Sequence, residues 1–328
     1  MHIMQTASWI AVRCVLAALL TFPALAKAQT ADEVNQARTV FGDRVEAAAI
    51  LGGSNSASGG LYKYNTTDAT INASKVSGRG DLFAPRPLGS SGLSWNPIAG
   101  GSFGTLDVSN NLKSGSLAGN RMEYDSFFVS FGGGGRLWFT ERLSTAVTVD
   151  LLYNHVRNTF TALTPTGVTA KQLYGGTLLD WTADVLSVVP GMDVRYRTSL
   201  TQDLVLDLTS GYTHYATWAL GATSQSITLE GNADTWTNKI DLDQRLPWKL
   251  FDHPLHVGGY FSRMELYGGA ARGFNADYLY STKGRLVVGD LPGIWKAWFM
   301  NWLGVGVTYF WSDSFSGWSY GIDARFKF

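Results

Sequence analysis

The chain ends in residues 317–328, GWSYGIDARFKF, a stretch in which apolar and polar side chains alternate. One parity is apolar and consists of Trp318, Tyr320, Ile322, Ala324, Phe326 and Phe328. The other parity is small, polar or charged and consists of Ser319, Gly321, Asp323, Arg325 and Lys327. Successive side chains of a strand point to opposite faces, so the alternation predicts a β-strand with one apolar and one polar face. A soluble sheet packed on a protein core can show the same pattern. The number of such strands decides between a soluble sheet and a sheet in a membrane.

The same alternation returns along most of the chain. It is clear in residues 127–139, 143–154, 192–197, 204–213, 236–246, 278–288 and 303–311, and noisier in residues 255–261. We count ten strands from Ser94 to Phe328, and we expect twelve because the Gly-, Ser-, Asn- and Thr-rich residues 53–93 have room for a further hairpin. So many strands with one apolar and one charged face need hydrocarbon outside and a wet or ion-paired lumen inside. The predicted fold class is therefore all-β, a transmembrane antiparallel up-and-down β-barrel of 10–12 strands.

The composition excludes several other classes of protein. Charged residues make up 16% of the 328 residues and aromatic residues 13%, while the formal net charge is zero and the mean hydropathy is −0.01. Disordered chains are poor in aromatic residues and rich in net charge. After the first 28 residues, the chain also lacks the ~18 consecutive apolar residues of a membrane helix. Without a basic excess, we expect no nucleic-acid partner.

The lengths of the predicted connections alternate. Short connections near residues 140, 200, 247–254 and 290–300 alternate with others, of which 157–180 and 216–234 are long and polar. Outer-membrane barrels have short periplasmic turns and longer external loops. We therefore assign the short connections to the periplasmic side.

The first part of the chain precedes the predicted barrel. Residues 1–28 contain Arg13, an apolar stretch, Pro23 and small residues, which predicts a cleaved signal peptide and export to the outer membrane of a Gram-negative bacterium. Residues 29–93 form a second segment, and residues 94–328 form the barrel. Within the second segment, residues 32–51 have apolar residues at helical spacing and predict a short N-terminal helix. Three interpretations of this helix are open: it plugs the lumen, it extends into the periplasm, or it is the first strand misread as a helix.

The end of the chain resembles a known family. Residues 309–319, YFWSDSFSGWS, and residues 325–328, RFKF, resemble the C-terminus of the solitary outer-membrane autotransporter-like β-barrels. The resemblance implies a twelve-stranded barrel without a secreted passenger, and it implies no known activity. It also implies that Phe326 and Phe328 form the assembly signal read by the barrel-assembly machinery.

Strand parity predicts which charges line the lumen. The predicted set is Arg136, Asp150, Asp193, Arg195, Arg197, Asp207, Lys239, Asp241, Asp243, Arg245, Lys283, Arg285, Asp323, Arg325 and Lys327. Two interpretations are open. Either the charges pair and the lumen is plugged by its own side chains, as in other small barrels, or they line a narrow pore with slight anion preference.

Two tripeptides place histidine beside tyrosine on the apolar parity. Tyr153 and His155 lie on one ascending strand, and Tyr212 and His214 on another, so we expect all four at the membrane interface. A lipid-facing active site is the alternative interpretation of these histidines. The sequence shows no recognised catalytic, cofactor-binding or metal-ligating set, and we expect none.

We therefore predict a non-enzymatic outer-membrane barrel with a structural or weak-pore role. The alternatives are a porin-like diffusion channel and an outer-leaflet lipid-modifying enzyme. The expected partners are outer-membrane lipid, lipopolysaccharide and, during biogenesis, the barrel-assembly machinery. We expect the barrel to be a monomer.

Overall fold

The fold was analysed in a computed structural model that describes residues 50, 58–64, 69–112, 117–224, 231–289 and 300–326. The predicted signal peptide, all of the predicted N-terminal helix 32–51 except Ile50, and the last two residues, Lys327 and Phe328, lie outside the described residues. Ile50 is helical. No helix in the described ranges is long and apolar enough to cross a membrane.

The described residues form one antiparallel sheet and two short helices. The strands are β1 (Ser58–Tyr64), β2 (Ala69–Asp81), β3 (Arg86–Pro87), β4 (Ser94–Asn111), β5 (Arg121–Trp138), β6 (Leu143–Thr161), β7 (Thr182–Ser199), β8 (Leu204–Ala222), β9 (Gly231–Leu250), β10 (His253–Gly268), β11 (Tyr278–Val288), β12 (Met300–Trp311) and β13 (Phe315–Phe326). The helices are α1 (Pro165–Tyr174), between β6 and β7, and α2 (Gly269–Phe274), between β10 and β11.

The strand pairings close the sheet into a ring. From β4 to β13 each strand pairs with the next one along the chain, β1 pairs with both β2 and β13, and β2 pairs with β4. The two-residue strand β3 lies on β4 and adds no wall of its own. The described strands therefore form an up-and-down barrel of twelve strands, and the hairpin expected within residues 53–93 is β1–β2. Closure leaves no free sheet edge.

The wall has an apolar outer face and a mixed inner face. Phe131, Val147 and Val305 point outward and are each at least 60% exposed, whereas the neighbouring-parity residues Ser144 and Leu152 are almost fully buried. An exposed apolar band of this kind is stable when hydrocarbon covers it. The parity seen in the sequence is thus the inside–outside parity of the barrel.

The connections differ in length from the predicted ones. β6 runs to Thr161 and β8 to Ala222, so the connections predicted at 157–180 and 216–234 shrink to residues 162–181 and 223–230. Both ladders continue past the point where apolar alternation stops, because polar side chains on both faces do not prevent backbone pairing. At the other end, the connection predicted at 247–254 is a two-residue turn of Phe251 and Asp252. Both have positive φ, 51° and 66°, as the favoured two-residue hairpin turn requires.

The barrel therefore has a short-turn end, with the turns 139–142, 200–203 and 251–252 besides the longer connection 82–93, and a long-loop end, with the connections 112–120, 162–181 and 269–277. The long-loop end is ordered by side chains. The amide of Asn120 accepts hydrogen bonds from the backbone N–H groups of Leu163 (2.7 Å) and Thr164 (3.0 Å) and donates to the carbonyl of Leu117 (2.9 Å). The Thr164 hydroxyl then caps α1 by accepting from the N–H of Gly167 at 3.1 Å. One buried asparagine thus joins two loops.

Candidate functional site: the lumen and the outward histidines

The lumen has a charged layer in its short-turn half. On neighbouring strands, Arg195 and Asp207 form a bidentate pair in which Nε of Arg195 lies 2.9 and 2.8 Å from the two carboxylate oxygens. The guanidinium of Arg285 donates to both oxygens of Asp241 at 2.9 and 2.7 Å and lies 3.4 Å from Asp243. Bidentate pairs of this geometry are the strong, orienting kind.

Two of the ion pairs cross strands that carry glycine at the crossing point. In the ladder, Arg79 of β2 aligns with Gly100, Gly100 with Gly132, and Gly132 with Asp150 of β6, so one row of residues joins the two charges. Arg79 forms an ion pair with Asp150 over this row. A Cβ added at Gly132 would stand 1.9 Å from Oδ1 of Asp150. The glycines therefore leave the space in which the ion pair forms.

A shorter row of the same design joins β9 to β11. Asp243 aligns with Gly258 of β10, and Gly258 with Arg285. A Cβ at Gly258 would stand 3.0 Å from Nε of Arg285. Within the glycine run 132–135 of β5, Gly132 thus leaves the space in which the Arg79–Asp150 ion pair forms.

The substitution Gly132→Ala is expected to lower the stability of the barrel by about 1–3 kcal/mol, because the added methyl group must displace Asp150 from Arg79. The matched control is Gly135→Ala, since nothing lies within 4 Å of a Cβ at Gly135. The measurement is the temperature at which the folded barrel is lost on an unboiled gel. Equal temperatures for the two variants would contradict the packing described for this row.

The charged layer also holds residues that sequence parity did not single out. Asp81 is one of them and lies 3.6 Å from Arg136, a predicted lumen residue that also lies 3.8 Å from Asp193. Nδ1 of His256 lies 2.9 Å from Asp243, and its ring lies 5.3 Å from that of Trp302. Parity in β2 could have found Arg79 and Asp81, but β2 is rich in Gly and Ser and gives a weak alternation.

The remaining predicted lumen charges are placed as follows. Lys283 is buried, and Lys239 lies over the ring of Tyr260 at 5.6 Å. The side chain of Arg197 makes no hydrogen bond or ion pair with the described residues, whereas its backbone N–H donates to the carbonyl of Arg142 at 2.8 Å. Arg245 is exposed near the end of β9. The side chains of Asp323, Arg325 and Phe326 lie outside the description, as do Lys327 and Phe328.

The long-loop half of the lumen contains an apolar cluster. The wall contributes the buried residues Phe128, Leu152, Val189, Tyr215, Ala233, Leu266 and Leu279 to one cluster. α2 folds into this cluster through Ala270 and Phe274, which are at most 1% exposed, and the hydroxyl of Ser314 donates to the carbonyl of Phe274 at 2.9 Å. Ile50 belongs to the same cluster and is 3% exposed. At this level, side chains of the wall, of α2 and of Ile50 thus occupy the lumen.

α2 was not predicted from the sequence. It is six residues long, GAARGF, which is too short for a helical pattern, and it lies in a connection. Its turn into the lumen depends on Gly268, at φ 64°, and on Asn275 in the left-handed conformation at its end. The sequence signal for α2 is weak: Gly268 and Asn275, two residue types that tolerate positive φ, lie on either side of the short segment.

The tyrosines and histidines predicted at the interface lie on the outward face and are organised by two aspartates. The first outer cluster consists of Tyr153, His155 and Asp184, in which one carboxylate oxygen accepts from the tyrosine hydroxyl at 2.6 Å and lies 2.8 Å from Nδ1 of the histidine. The second outer cluster consists of Tyr212, His214 and Asp234. It repeats the arrangement, with 2.7 Å from Nδ1 to the carboxylate oxygen and a hydrogen bond from the tyrosine hydroxyl.

The aspartates were missed because each lies on the following strand. In the ladder, His155 aligns with Asp184 and His214 with Asp234. A single sequence does not give this register. Within the described residues, neither histidine bonds to a serine or threonine hydroxyl, and no group of three or more His, Cys, Asp or Glu could hold a metal ion.

Comparison with known proteins supports the architecture. A family model described as the solitary outer membrane autotransporter beta-barrel domain matches residues 87–322. Among solved structures, the transport unit of the autotransporter AIDA-I from Escherichia coli gives a TM-score of 0.55 at 10% identity, covering 89% of this chain and 99% of that one. The beta domain of the Bordetella autotransporter BrkA gives 0.51 at 10% identity, covering 83% and 96%. At this identity the structural likeness establishes the fold alone. No curated protein matches the sequence.

Proposed function

Because the chain belongs to the family of solitary outer-membrane autotransporter β-barrel domains, we propose that it is an integral envelope barrel without a passenger or enzymatic activity and with a closed lumen. Members of this family are not generally catalytic. In this proposal the long-loop end faces the outside of the cell and the short-turn end faces the periplasm. A cleaved signal peptide at residues 1–28 directs the export.

One observation carries the closed lumen. The short-turn half holds charges of both signs in bidentate and bridging pairs, and the long-loop half is filled by an apolar cluster that includes α2. The named ion pairs of the charged layer form between residues of the wall itself. A barrel filled in this way serves as a stable wall element, and small barrels generally fill their interiors with side chains.

The proposal is tested by fractionation and gel mobility. The protein is expected in the outer-membrane fraction, and unboiled samples are expected to migrate differently from boiled samples because a folded barrel stays compact in detergent. N-terminal sequencing of the mature protein is expected to show the loss of 26 to 28 residues, after Ala26 or Ala28. Soluble periplasmic protein with identical mobility before and after boiling would overturn the proposal.

A diffusion channel is the second candidate function, and one observation favours it. Arg197 lies on the lumen parity of β7, near Asp207 and Asp241, but its side chain makes no direct ion pair within the described residues, so it is a cation of the charged layer that a passing anion could contact. A channel of this kind would be narrow and slightly anion-selective. Stable anion-selective conductance that falls on Arg197→Gln would favour the channel over the closed wall.

An outer-leaflet lipid-modifying enzyme is not part of the proposal. In each outer cluster the histidine and the tyrosine contact the same carboxylate oxygen of the aspartate. Nucleophilic catalysis would need a nucleophilic hydroxyl or thiol beside the imidazole ring. The proposed partners are the lipids around the wall, lipopolysaccharide in the outer leaflet and the barrel-assembly machinery, which would read Phe326 and Phe328. The barrel is proposed to be a monomer.

A further inference from the structure

Two basic side chains of the charged layer have no ionic partner among the described residues. The guanidinium of Arg197 and the ammonium of Lys239 make no hydrogen bond or ion pair there. The closest described group that stabilises the ammonium of Lys239 is the face of the Tyr260 ring, at 5.6 Å. Unpaired charges inside a protein are costly, so each of these two cations needs an anion or water beside it.

The two cations belong to one group of interacting charges. In the ladder, Arg197 of β7 aligns with Asp207 of β8, and Asp207 with Asp241 of β9. Lys239 lies two residues from Asp241 on the same face of β9. Both cations are close enough to Asp207 and Asp241 to interact with them electrostatically. With two strand spacings and two residues between them, their Cα atoms are roughly 12 Å apart, so both long side chains can reach one ligand between them.

The two aspartates do not neutralise these cations. Each already accepts the two hydrogen bonds of an arginine, Asp207 from Arg195 and Asp241 from Arg285. Among the charges that sequence parity places in the lumen, strands β7–β11 carry six basic and four acidic residues, namely Arg195, Arg197, Lys239, Arg245, Lys283 and Arg285 against Asp193, Asp207, Asp241 and Asp243. This sector of the lumen therefore has an excess of positive charge.

The charged layer leaves room for a small ligand. The side chains of Asp193, Arg195 and Asp207 point inward, yet they are 30%, 22% and 16% exposed. The wall lies behind these side chains, so their exposure comes from space inside the barrel. The short-turn end is the nearest opening, because β7 ends only two residues after Arg197. The apolar cluster lies in the other half of the lumen.

We propose that Arg197 and Lys239 form a binding site for a small oxyanion, a carboxylate or a phosphate, that enters from the short-turn end. The planar guanidinium of Arg197 offers paired N–H donors to two oxygens, and the ammonium of Lys239 adds a compact charge with rotatable donors. The inference rests on the proposed function, since the apolar cluster makes this space a pocket and not a passage. The barrel then holds a solute of the periplasm without letting it cross.

The test measures the binding of two probes, succinate and inorganic phosphate, to the folded mature barrel in uncharged detergent micelles at constant ionic strength. Titration calorimetry gives the affinity, and the rise in unfolding temperature with probe gives an independent measure. The wild-type barrel is expected to bind at least one probe saturably. Arg197→Gln and Lys239→Gln are each expected to weaken that binding at least tenfold, because each loses a charge-assisted hydrogen bond. The matched control is Arg142→Gln, the same change in the exposed turn 139–142 at the same end, and it is expected to bind like the wild type.

Two further measurements separate a loss of binding from a loss of fold. Arg197→Lys and Lys239→Arg keep the charge and are expected to retain measurable binding. Because neither cation has an ionic partner in the empty barrel, Arg197→Gln and Lys239→Gln are expected not to lower the unfolding temperature without probe. A lower unfolding temperature without probe would give these side chains a structural role and count against the site.

The outcomes also separate the inference from the proposed function. If the folded wild-type barrel binds neither probe saturably, the inference is wrong and the barrel proposal stands. The same holds if the double variant Arg197→Gln, Lys239→Gln binds as tightly as the control, since the probe would then bind elsewhere. A wild-type chain that gives no folded band on an unboiled gel would refute the barrel itself.

Discussion

Replacing Asp207 with alanine is expected to lower the free energy of unfolding by about 3 kcal/mol, because it leaves the Arg195 guanidinium in the lumen without its bidentate partner. The two side chains are only 22% and 16% exposed, so water can replace little of the lost interaction. The measurement is denaturant unfolding of the barrel in detergent micelles, followed by tryptophan fluorescence.

An apolar double variant gives this prediction its control. If the loss comes from an unpaired charge, Arg195→Met combined with Asp207→Leu is expected to recover most of the stability, since a buried ion pair is generally worth little more than apolar residues of similar volume. Equal destabilisation by the single and the double variants would mean that the pair does not carry the effect. In that case the Arg195–Asp207 pair would not stabilise the charged layer.

The second large effect is expected at α2. Phe274→Ala removes a ring that is 1% exposed in the apolar cluster, and it is expected to cost about 3–5 kcal/mol of stability and to loosen the packing of α2 in the lumen. Because α2 packs into the apolar cluster inside the barrel, proteoliposomes with this variant are expected to become permeable to small solutes. The measurement is vesicle swelling in an isotonic solution of a small sugar.

Leu173→Ala is the matched control for α2. Leu173 belongs to the other loop helix, α1, and is 67% exposed, so its removal is expected to change neither stability nor permeability. Swelling of the control to the same extent as Phe274→Ala would show that any change in a loop opens the vesicles. A stable and impermeable Phe274→Ala variant would show that α2 does not close the lumen.

The fold could be predicted because the wall uses one rule throughout. In β6, Val147 and Val149 lie on one face and Asp150 on the other, so the sequence indicates which face is outside and which is inside. The same alternation recurs in the following strands. The first hairpin was harder, since the Gly- and Ser-rich residues of β2 give little alternation. The lengths of β6 and β8 were underestimated because backbone pairing continues where the apolar pattern ends.

The contacts of the site could not be predicted in the same way. Arg79 reaches Asp150 over Gly100 and Gly132, and a single sequence does not show that these four residues form one row. The partnership of His155 with Asp184 likewise depends on the register between two strands. Parity assigns a side chain to a face of the wall, whereas its partner on that face is set by the alignment of strands that are distant in sequence.

Planar-bilayer recording of the refolded mature chain tests the closed lumen most directly. The protein with residues 29–328 is expected to be electrically silent, because the charged layer and the apolar cluster fill the lumen. The chain that begins at residue 53 lacks Ile50, which lies in the apolar cluster, and is expected to pass current in discrete steps. Stable conductance steps from the intact mature chain would contradict the account, since they would require a continuous water path through both layers.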